Sequence, residues 1–280
     1  MTPLIKITDK IYAKLETYQP TGSVKDRMVS YLIADGLESG NIIPGETKFI
    51  EATSGNTGIS LASQAAKLNC KCTIIMPKNM SKQRKQMMQA FGAHIIEVGD
   101  NDFSGAITLR DSLIKIDNEK LKNSTWCPYQ FENQLNIECH YKVTAKEIFY
   151  QLEEIKKKAS AFVHGAGTGG TMMGIKRYID EHKLTTQCVL TAPAESALEH
   201  GIQGINDGAD FLLDKDLMDH VVNVKTVDAI HRMKRFALES GLLVGISSGA
   251  NLVAAELYDQ TFKPDGIIIT MLCDRGERYL

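Results

Sequence analysis

The feature that most constrains the fold is a regular alternation of short apolar runs with helix-length amphipathic stretches along all 280 residues. The short runs are rich in β-branched residues, which favour strands, and the longer stretches have the apolar spacing of helices. We predict strands at residues 11–16, 48–52, 72–76, 94–98, 161–164, 189–192, 221–224 and 266–271. We predict helices near residues 24–38, 57–68, 81–91, 104–117, 136–157, 169–183, 227–239 and 248–258.

This alternation predicts the α/β class, with two doubly wound domains whose central sheets are mostly parallel and are covered by helices on both faces. The chain is long enough for two modest domains. The first group of loop motifs ends near residue 131, and a long amphipathic helix is predicted to start near residue 135. We therefore predict a smaller domain over residues 13–131 and a larger one that combines residues 1–12 with 132–280.

The net charge of −2 provides no basic surface for nucleic acid or an anionic membrane, so a small-molecule partner is favoured. No apolar run reaches the roughly 18 residues of a membrane span, and the first residues lack a secretory signal. These features predict a cytoplasmic protein. The cysteines lack Cys-x-x-Cys spacing, so we expect reduced, mostly buried thiols and no metal site. They are Cys70, Cys72, Cys127, Cys139, Cys188 and Cys273.

The loop at residues 165–171 reads Gly-Ala-Gly-Thr-Gly-Gly-Thr and lies between a predicted strand and a predicted helix. Glycines let backbone N–H groups approach an anion, and a helix start adds unpaired donors and a positive dipole end. Thr168 and Thr171 add hydroxyl groups, so the loop favours a phosphate. It also matches the Gly-x-Gly-x-x-Gly turn of dinucleotide sites, although residues 189–193 lack the acidic residue expected about 20 positions on. A dinucleotide site remains the alternative.

The loop at residues 53–58 reads Thr-Ser-Gly-Asn-Thr-Gly and also joins a predicted strand to a helix. Its hydroxyl, amide and backbone N–H groups suit a substrate carboxylate at a helix N-terminus. The alternative is simple capping of the following helix, which needs only one of these residues.

Lys25 lies in the segment Gln-Pro-Thr-Gly-Ser-Val-Lys-Asp-Arg, residues 19–27, one turn inside a predicted helix. Small and apolar residues precede it, and a lysine that forms a Schiff base must be partly desolvated. An exposed charge pattern is the alternative. A lysine together with a phosphate loop and a carboxylate loop indicates a pyridoxal-phosphate enzyme that acts on an amino acid.

Several ordered blocks along the whole chain resemble the cysteine synthase family of fold type II pyridoxal-phosphate enzymes, which also includes cystathionine β-synthase. The blocks include residues 2–4, 20–27, 51–58, 167–171, 202–205, 245–249 and 276–280. The resemblance implies a tryptophan synthase β-like fold, pyridoxal 5′-phosphate as cofactor, and a homodimer. It implies β-replacement, in which O-acetylserine or O-phosphoserine reacts with sulfide or thiosulfate to form L-cysteine.

The resemblance also implies a role for each matching residue. Lys25 would bind the cofactor as a Schiff base and transfer the substrate's α-proton, and Asn56 would bind the 3′-oxygen of the ring. The cofactor phosphate would be bound by Gly167, Thr168, Gly169, Gly170 and Thr171. The substrate α-carboxylate would be bound by Thr53, Ser54, Thr57 and Gln130.

Residues 273–280, Cys-Asp-Arg-Gly-Glu-Arg-Tyr-Leu, depart from the common pattern, which has a serine for the pyridine nitrogen. They resemble the cysteine synthase B subgroup, where Ser247 would be the partner of this nitrogen, and Asp274 remains the alternative. Residues 199–204 instead resemble the A-type synthases. Gln19 and His164 replace an asparagine and a small residue, which weakens the assignment of the substrate.

Three other activities remain open at this point. One is β-elimination from cysteine or serine, and a second is β-replacement with another nucleophile. The third, from a different class, is a nicotinamide-dependent oxidoreductase. Some members of the resembled family also bind an acetyltransferase tail in the active-site cleft, so such a complex is a further possibility.

Overall fold

The computed structural model describes residues 1–53, 55–120, 124–196, 199–205 and 211–280. The chain forms two compact units, a larger one of Met1–Val24 with Gln130–Leu280 and a smaller one of Lys25–Tyr129. The first boundary therefore follows Val24 rather than residue 12 as predicted. The reason is that Ile11–Leu15 is a strand that pairs in parallel with Ile267–Leu272 of the larger unit.

The described strands are short and, except for the first pair, parallel within each sheet. The larger unit has a six-stranded sheet with the order β1-β2-β10-β7-β8-β9, and the smaller unit has a four-stranded sheet with the order β5-β4-β3-β6. In chain order the strands are β1 (Leu4–Lys6), β2 (Ile11–Leu15), β3 (Lys48–Ala52), β4 (Cys72–Pro77), β5 (His94–Val98), β6 (Thr125–Trp126), β7 (Ala159–Gly165), β8 (Gln187–Pro193), β9 (His220–Val224) and β10 (Ile267–Leu272).

The described helices follow the predicted pattern closely. In chain order they are α1 (Lys25–Glu38), α2 (Asn56–Lys67), α3 (Lys82–Ala90), α4 (Phe103–Lys120), α5 (Leu135–Cys139), α6 (Lys146–Glu154), α7 (Gly170–Glu181), α8 (Thr226–Ser240) and α9 (Ile246–Phe262). A π-helical stretch, His140–Ala145, joins α5 to α6 without a break. None of the described helices has the length and apolar character needed to cross a membrane.

In the larger unit, neighbouring residues of one strand lie in different parts of the core. Phe162 and Ile269 belong to a cluster with residues of α6 and α7, whereas Val163 and Ile268 belong to a cluster with residues of α8 and α9. Because successive side chains of a strand point to opposite faces, helices cover both faces of this sheet. The predicted α/β class with mostly parallel sheets is confirmed.

In the smaller unit, β3 and β4 form the centre of the sheet, and α4 packs on both. Arg110 of α4 reaches the fully buried Glu51 of β3, with 3.1 Å between Nη1 and Oε1. This buried ion pair lies directly before the loop at residues 53–58 and fixes the end of β3 against α4.

All six cysteines are free thiols. Five of them are buried, as predicted, and Cys70 is partly exposed. Burial raises the pKa of the Cys72 and Cys188 thiols to about 12. These two side chains therefore stay protonated at neutral pH and belong to the core.

Candidate active site

The glycine-rich loop at residues 165–171 starts where β7 ends and leads into α7. Gly169 has φ +91°, in the left-handed region, and a Cβ there would collide with the backbone of Leu213. A Cβ on Gly167 would lie 2.8 Å from the carbonyl oxygen of Gly204. The loop therefore needs glycine, and its backbone N–H groups lie beside those of the first turn of α7, where the Gly170 N–H makes a long hydrogen bond of 3.4 Å to Thr168 Oγ1. These groups fit a phosphate.

The two threonines of this loop are buried, and a residue absent from the sequence-based assignment fixes one of them. Asn136 of α5 donates from Nδ2 to Thr168 Oγ1 at 3.0 Å and to the carbonyl oxygen of Gln130 at 2.9 Å. Asn136 thus links a predicted substrate-binding residue to a predicted phosphate-binding residue within the larger unit. Thr171 Oγ1 lies 3.2 Å from Nε2 of His140, which the sequence-based assignment also omitted.

The start of α9 places two serines near the end of β10, and their hydroxyl groups have different environments. Ser248 Oγ accepts a hydrogen bond from the backbone of Cys273 at 2.9 Å, so this serine is structural. Ser247 is buried, and its Oγ makes no hydrogen bond to another residue in the described ranges. A Cβ on Gly204 would lie 3.5 Å from this oxygen. Ser247 therefore offers a hydroxyl group beside the segment that also contacts Gly167.

Asp274, the alternative partner for the pyridine nitrogen, is fully buried and already engaged. Its Oδ2 accepts a hydrogen bond from the Tyr279 hydroxyl at 2.6 Å, and its Oδ1 is directed at Gly245, where a Cβ would collide with it. The carboxylate therefore helps to hold the last residues of the chain against the start of α9.

The residues before Lys25 are fixed to the segment that follows β10. Val24 donates its backbone N–H to the carbonyl oxygen of Cys273 at 2.8 Å, and Arg275 donates to that of Gly22 at 3.1 Å. This pairing keeps the residues before Lys25 out of the helix. Lys25 is consequently the first residue of α1 and does not lie one turn inside it.

Lys25 is partly buried, and the two charged residues that follow it, Asp26 and Arg27, are buried. The segment is therefore not an exposed charge pattern. Partial burial is the environment that a Schiff-base lysine requires.

The loop at residues 53–58 lies in the smaller unit, between β3 and α2. Thr53 and Thr57 are buried, and Thr53 Oγ1 accepts a hydrogen bond from the Gly55 backbone at 3.2 Å. Asn56 is partly buried and is the first residue of α2. Ser54 lies outside the described residues. The described part of the loop presents hydroxyl and amide groups at a helix N-terminus, which exceeds the needs of capping alone.

Two side chains of α3 pack against this loop and were absent from the sequence-based assignment. Arg84 is buried, and a Cβ on Gly55 would lie 2.5 Å from its Cδ and 2.8 Å from its Nε. A Cβ on Gly58 would lie 3.0 Å from Cε of Met88. The loop glycines thus allow α3 to approach, and Arg84 brings a positive charge against the loop.

Comparison with known proteins identifies the family. Residues 1–274 match the family described as pyridoxal-phosphate dependent enzyme. Cysteine synthase B of Campylobacter jejuni is 40% identical to this chain, and the alignment covers 100% of the chain and 94% of that protein.

Two solved structures share the fold over the full length of the chain. The crystal structure of the O-acetylserine dependent cystathionine beta-synthase from Helicobacter pylori matches with a TM-score of 0.89 and 34% identity, covering 100% of this chain and 94% of that one. The crystal structure of a hydrogen sulfide-producing enzyme from Fusobacterium nucleatum matches with a TM-score of 0.88 and 34% identity, covering 100% and 96%.

The chain therefore belongs to the family of pyridoxal-phosphate-dependent enzymes. Within this family it is an enzyme of the cysteine synthase type, and its cofactor is pyridoxal phosphate. The predicted resemblance and cofactor are confirmed.

Proposed function

We propose that this enzyme forms L-cysteine from O-acetylserine, or from O-phosphoserine, with sulfide as the sulfur donor. The observation that supports this choice is the 40% identity to cysteine synthase B over the whole chain. In the reaction the Cβ–O bond breaks and acetate or phosphate leaves, while a Cβ–S bond forms. The α-proton is removed and later restored. Thiosulfate is the second donor, and it would give the S-sulfonated amino acid.

The bound cofactor supplies the electron sink that makes the α-proton acidic. We propose that the Lys25 ε-amine holds the cofactor and moves the α-proton to and from Cα of the substrate. Lys25 is partly buried, so its side chain is shielded in part from bulk water. Position also matters, because a proton is transferred efficiently only from a group held within hydrogen-bond distance. The backbone hydrogen bonds of Gly22 and Val24 fix the chain immediately before this lysine.

The phosphate is assigned to Gly167, Thr168, Gly169, Gly170 and Thr171. The need for glycine at positions 167 and 169 and the N-terminus of α7 support this assignment, because a helix N-terminus favours an anion. The phosphate anchors the cofactor and so fixes the position of its reactive atoms.

We assign the pyridine nitrogen to Ser247 rather than Asp274. The hydroxyl of Ser247 is not used by another described residue, whereas the Asp274 carboxylate accepts a hydrogen bond from Tyr279 at 2.6 Å. A neutral hydroxyl partner does not add a negative charge beside the nitrogen. Asn56, at the start of α2, is assigned to the 3′-oxygen of the ring.

The substrate α-carboxylate is assigned to Thr53, Ser54, Thr57 and Gln130. The burial of Thr53 and Thr57 and the N-terminus of α2 support this assignment, because both strengthen the binding of an anion.

Release of sulfide from cysteine by β-elimination is a second candidate, and β-replacement with another nucleophile is a third. The similarity to a hydrogen sulfide-producing enzyme favours the former, and the similarity to an O-acetylserine dependent cystathionine beta-synthase favours the latter. All of these reactions use the same cofactor and the same lysine.

Steady-state assays of the purified holoenzyme separate these candidates. We expect cysteine formation from O-acetylserine and sulfide to be at least about tenfold faster, in kcat/KM, than sulfide release from cysteine alone. O-phosphoserine, thiosulfate and homocysteine are tested in the same assay. Lys25→Ala should abolish every activity and the visible absorbance of the bound cofactor. Sulfide release that exceeds synthesis would replace the proposal with the elimination reaction.

A further inference from the structure

The helical segment that follows Gln134 contains the π-helical stretch His140–Ala145, and none of the roles assigned above explains it. Gly174 of α7 packs directly on this stretch, since a Cβ there would lie 2.5 Å from Cβ of His140 and 2.7 Å from the backbone nitrogen of Tyr141. π-helical turns are rare, and they are frequent at functional sites. This one brings the side chain of His140 to the first turn of α7.

The imidazole of His140 lies between two threonine hydroxyl groups. Its Nε2 is 3.2 Å from Thr171 Oγ1, and its Nδ1 is 2.9 Å from Thr144 Oγ1. His140 is 2% exposed, and both threonines are buried. Thr171 is the last residue of the loop assigned to the cofactor phosphate.

Asn136, one helical turn before His140, shows the same relation to the other threonine of the loop. Its Nδ2 donates to Thr168 Oγ1 at 3.0 Å. The carbonyl oxygen of Gln130, 2.9 Å from the same Nδ2, fixes the orientation of this amide, because a carbonyl can only accept. Thr168 Oγ1 therefore accepts from Asn136, and the hydroxyl hydrogen of Thr168 is left to donate elsewhere.

The tautomer of His140 decides whether Thr171 Oγ1 also accepts a hydrogen bond and keeps its own hydrogen available to donate. A neutral imidazole has one donor nitrogen and one acceptor nitrogen. If Nε2 carries the hydrogen, Thr171 Oγ1 accepts from it and the Thr171 hydroxyl can donate to a phosphate oxygen. If Nε2 lacks the hydrogen, the Thr171 hydroxyl donates to the ring and only its lone pairs face the phosphate.

We propose that His140 is a positioning residue for the cofactor phosphate. By analogy with Asn136, which donates to the other threonine, the hydrogen is assigned to Nε2, so that Nε2–H donates to Thr171 and the Thr171 hydroxyl points its hydrogen at the phosphate. In this tautomer Nδ1 accepts from the Thr144 hydroxyl. Asn136 and His140 together orient both threonines of the loop as donors. The inference rests on the proposed role of residues 167–171, and it concerns cofactor binding rather than the reaction that follows.

The direct test is the tautomer of His140 in the wild-type holoenzyme, measured by ¹⁵N NMR of histidine-labelled protein. The His140→Gln variant identifies the His140 signal among the seven histidines of the chain. We expect a hydrogen on Nε2. A hydrogen on Nδ1 alone would overturn the proposal without the need for any variant that binds the cofactor poorly.

Titration of the apoenzyme with pyridoxal phosphate gives a second test that does not use activity. We expect His140→Leu to weaken binding about tenfold and Thr144→Val about threefold, which is the range for losing or loosening one hydrogen bond that serves a charged group. His140→Gln, whose amide can donate in place of Nε2–H, should restore most of the affinity.

Thr186→Val is the matched control, because Thr186 is also a buried threonine of the larger unit but its hydroxyl donates to the backbone of Ala159. This variant should keep the wild-type Kd, and the ³¹P signal of the bound phosphate should shift in His140→Leu and Thr144→Val only. Unchanged affinity and an unchanged ³¹P signal in folded His140→Leu would refute the proposal. A protein that binds the cofactor as described but makes no cysteine would refute only the proposed reaction.

Discussion

Arg84 places a buried positive charge against the loop that is assigned to the substrate α-carboxylate. The loop already lies at the N-terminus of α2, which has positive character, and the first turn of α2 has no acidic residue. The first turn of α3 has none either. The packing of Arg84 on Gly55 places a guanidinium beside this loop, and we propose that its charge adds to the binding of the substrate carboxylate.

Replacement of Arg84 by Gln should raise the KM for O-acetylserine about tenfold, equivalent to about 1.4 kcal/mol, because an uncharged side chain stabilises the carboxylate less. The Kd for pyridoxal phosphate should stay at the wild-type value, since no phosphate-binding residue is changed. Arg84→Lys should restore part of the loss. Lys82→Gln is the control, because it removes an exposed positive charge from the first turn of the same helix. Equal KM changes in both variants would show a general effect of charge.

At the scale of single residues, the sequence indicates the loops but not the side chains that support them. Glycines between a strand and a helix are visible as a motif, so residues 165–171 could be predicted. Asn136 and Arg84 are ordinary helix residues in the sequence. Their roles depend on which helix packs behind which loop, and this packing is set by contacts between residues far apart in the chain.

At the scale of helices and strands, the packing of α7 on the π-helical stretch depends on a single glycine. A Cβ at position 174 would lie 2.7 Å from the carbonyl oxygen of Ile137, and it would also collide with His140 and Tyr141. These neighbours are mostly backbone atoms, which cannot move aside as a flexible side chain can. The two helices can therefore approach this closely only with glycine at position 174.

Gly174→Ala should lower the free energy of unfolding by about 1–3 kcal/mol, the usual effect of overpacking a tight contact. It should also weaken pyridoxal-phosphate binding, because α7 would move away from His140. Denaturant unfolding and titration of the apoenzyme measure the two effects. Gly99→Ala is the control, because a Cβ there would meet only the Asp102 side chain, at 3.5 Å and 3.8 Å, which is ordinary contact. A wild-type Kd for pyridoxal phosphate and a wild-type free energy of unfolding in Gly174→Ala would contradict this prediction, because they would show that α7 tolerates a Cβ here without effect on residues 167–171.

The predicted helices and longer strands agree with the structure because each has a clear apolar period. Strands β1 and β6 were missed, since three and two residues are too few to show an alternation. The predicted helix near residues 136–157 corresponds to α5, the π-helical stretch and α6 together. The change of helix type could not be predicted, because the apolar period of the sequence does not distinguish α-helical from π-helical turns.

At the scale of the whole molecule, the first residues of the chain belong to the larger unit through a buried polar network as well as through the sheet. The fully buried Lys14 contacts Glu147 Oε1 at 2.7 Å, Gln151 Oε1 at 2.6 Å and the carbonyl oxygen of Thr2 at 2.6 Å. These contacts tie β2 and the N-terminus to α6, across more than 130 residues of sequence. From the sequence alone we predicted a boundary near residue 12, because a contact between residues as far apart as Lys14 and Glu147 leaves no pattern in the sequence.

Cofactor binding should stabilise the folded protein, because the unfolded chain lacks the assembled phosphate loop. At a pyridoxal-phosphate concentration one hundred times Kd, the expected stabilisation is about 2.7 kcal/mol, which corresponds to a rise of several degrees in Tm for a chain of this size. Differential scanning fluorimetry of apoenzyme with and without cofactor measures it. Pyridoxal, which lacks the phosphate, should give a much smaller shift, because residues 167–171 then have no anion to bind.

Two variants show whether this stabilisation comes from the assigned lysine. Lys25→Ala should reduce the shift in Tm, because the covalent link is lost while the phosphate site remains. Lys234→Ala, which removes an exposed lysine of α8, should keep the full shift. Equal shifts with pyridoxal and pyridoxal phosphate would contradict the assignment of the phosphate to residues 167–171. A full shift in Lys25→Ala would instead show that the phosphate and ring contacts alone determine the stabilisation. The assignment of Lys25 and the assignment of the phosphate to residues 167–171 are therefore tested separately.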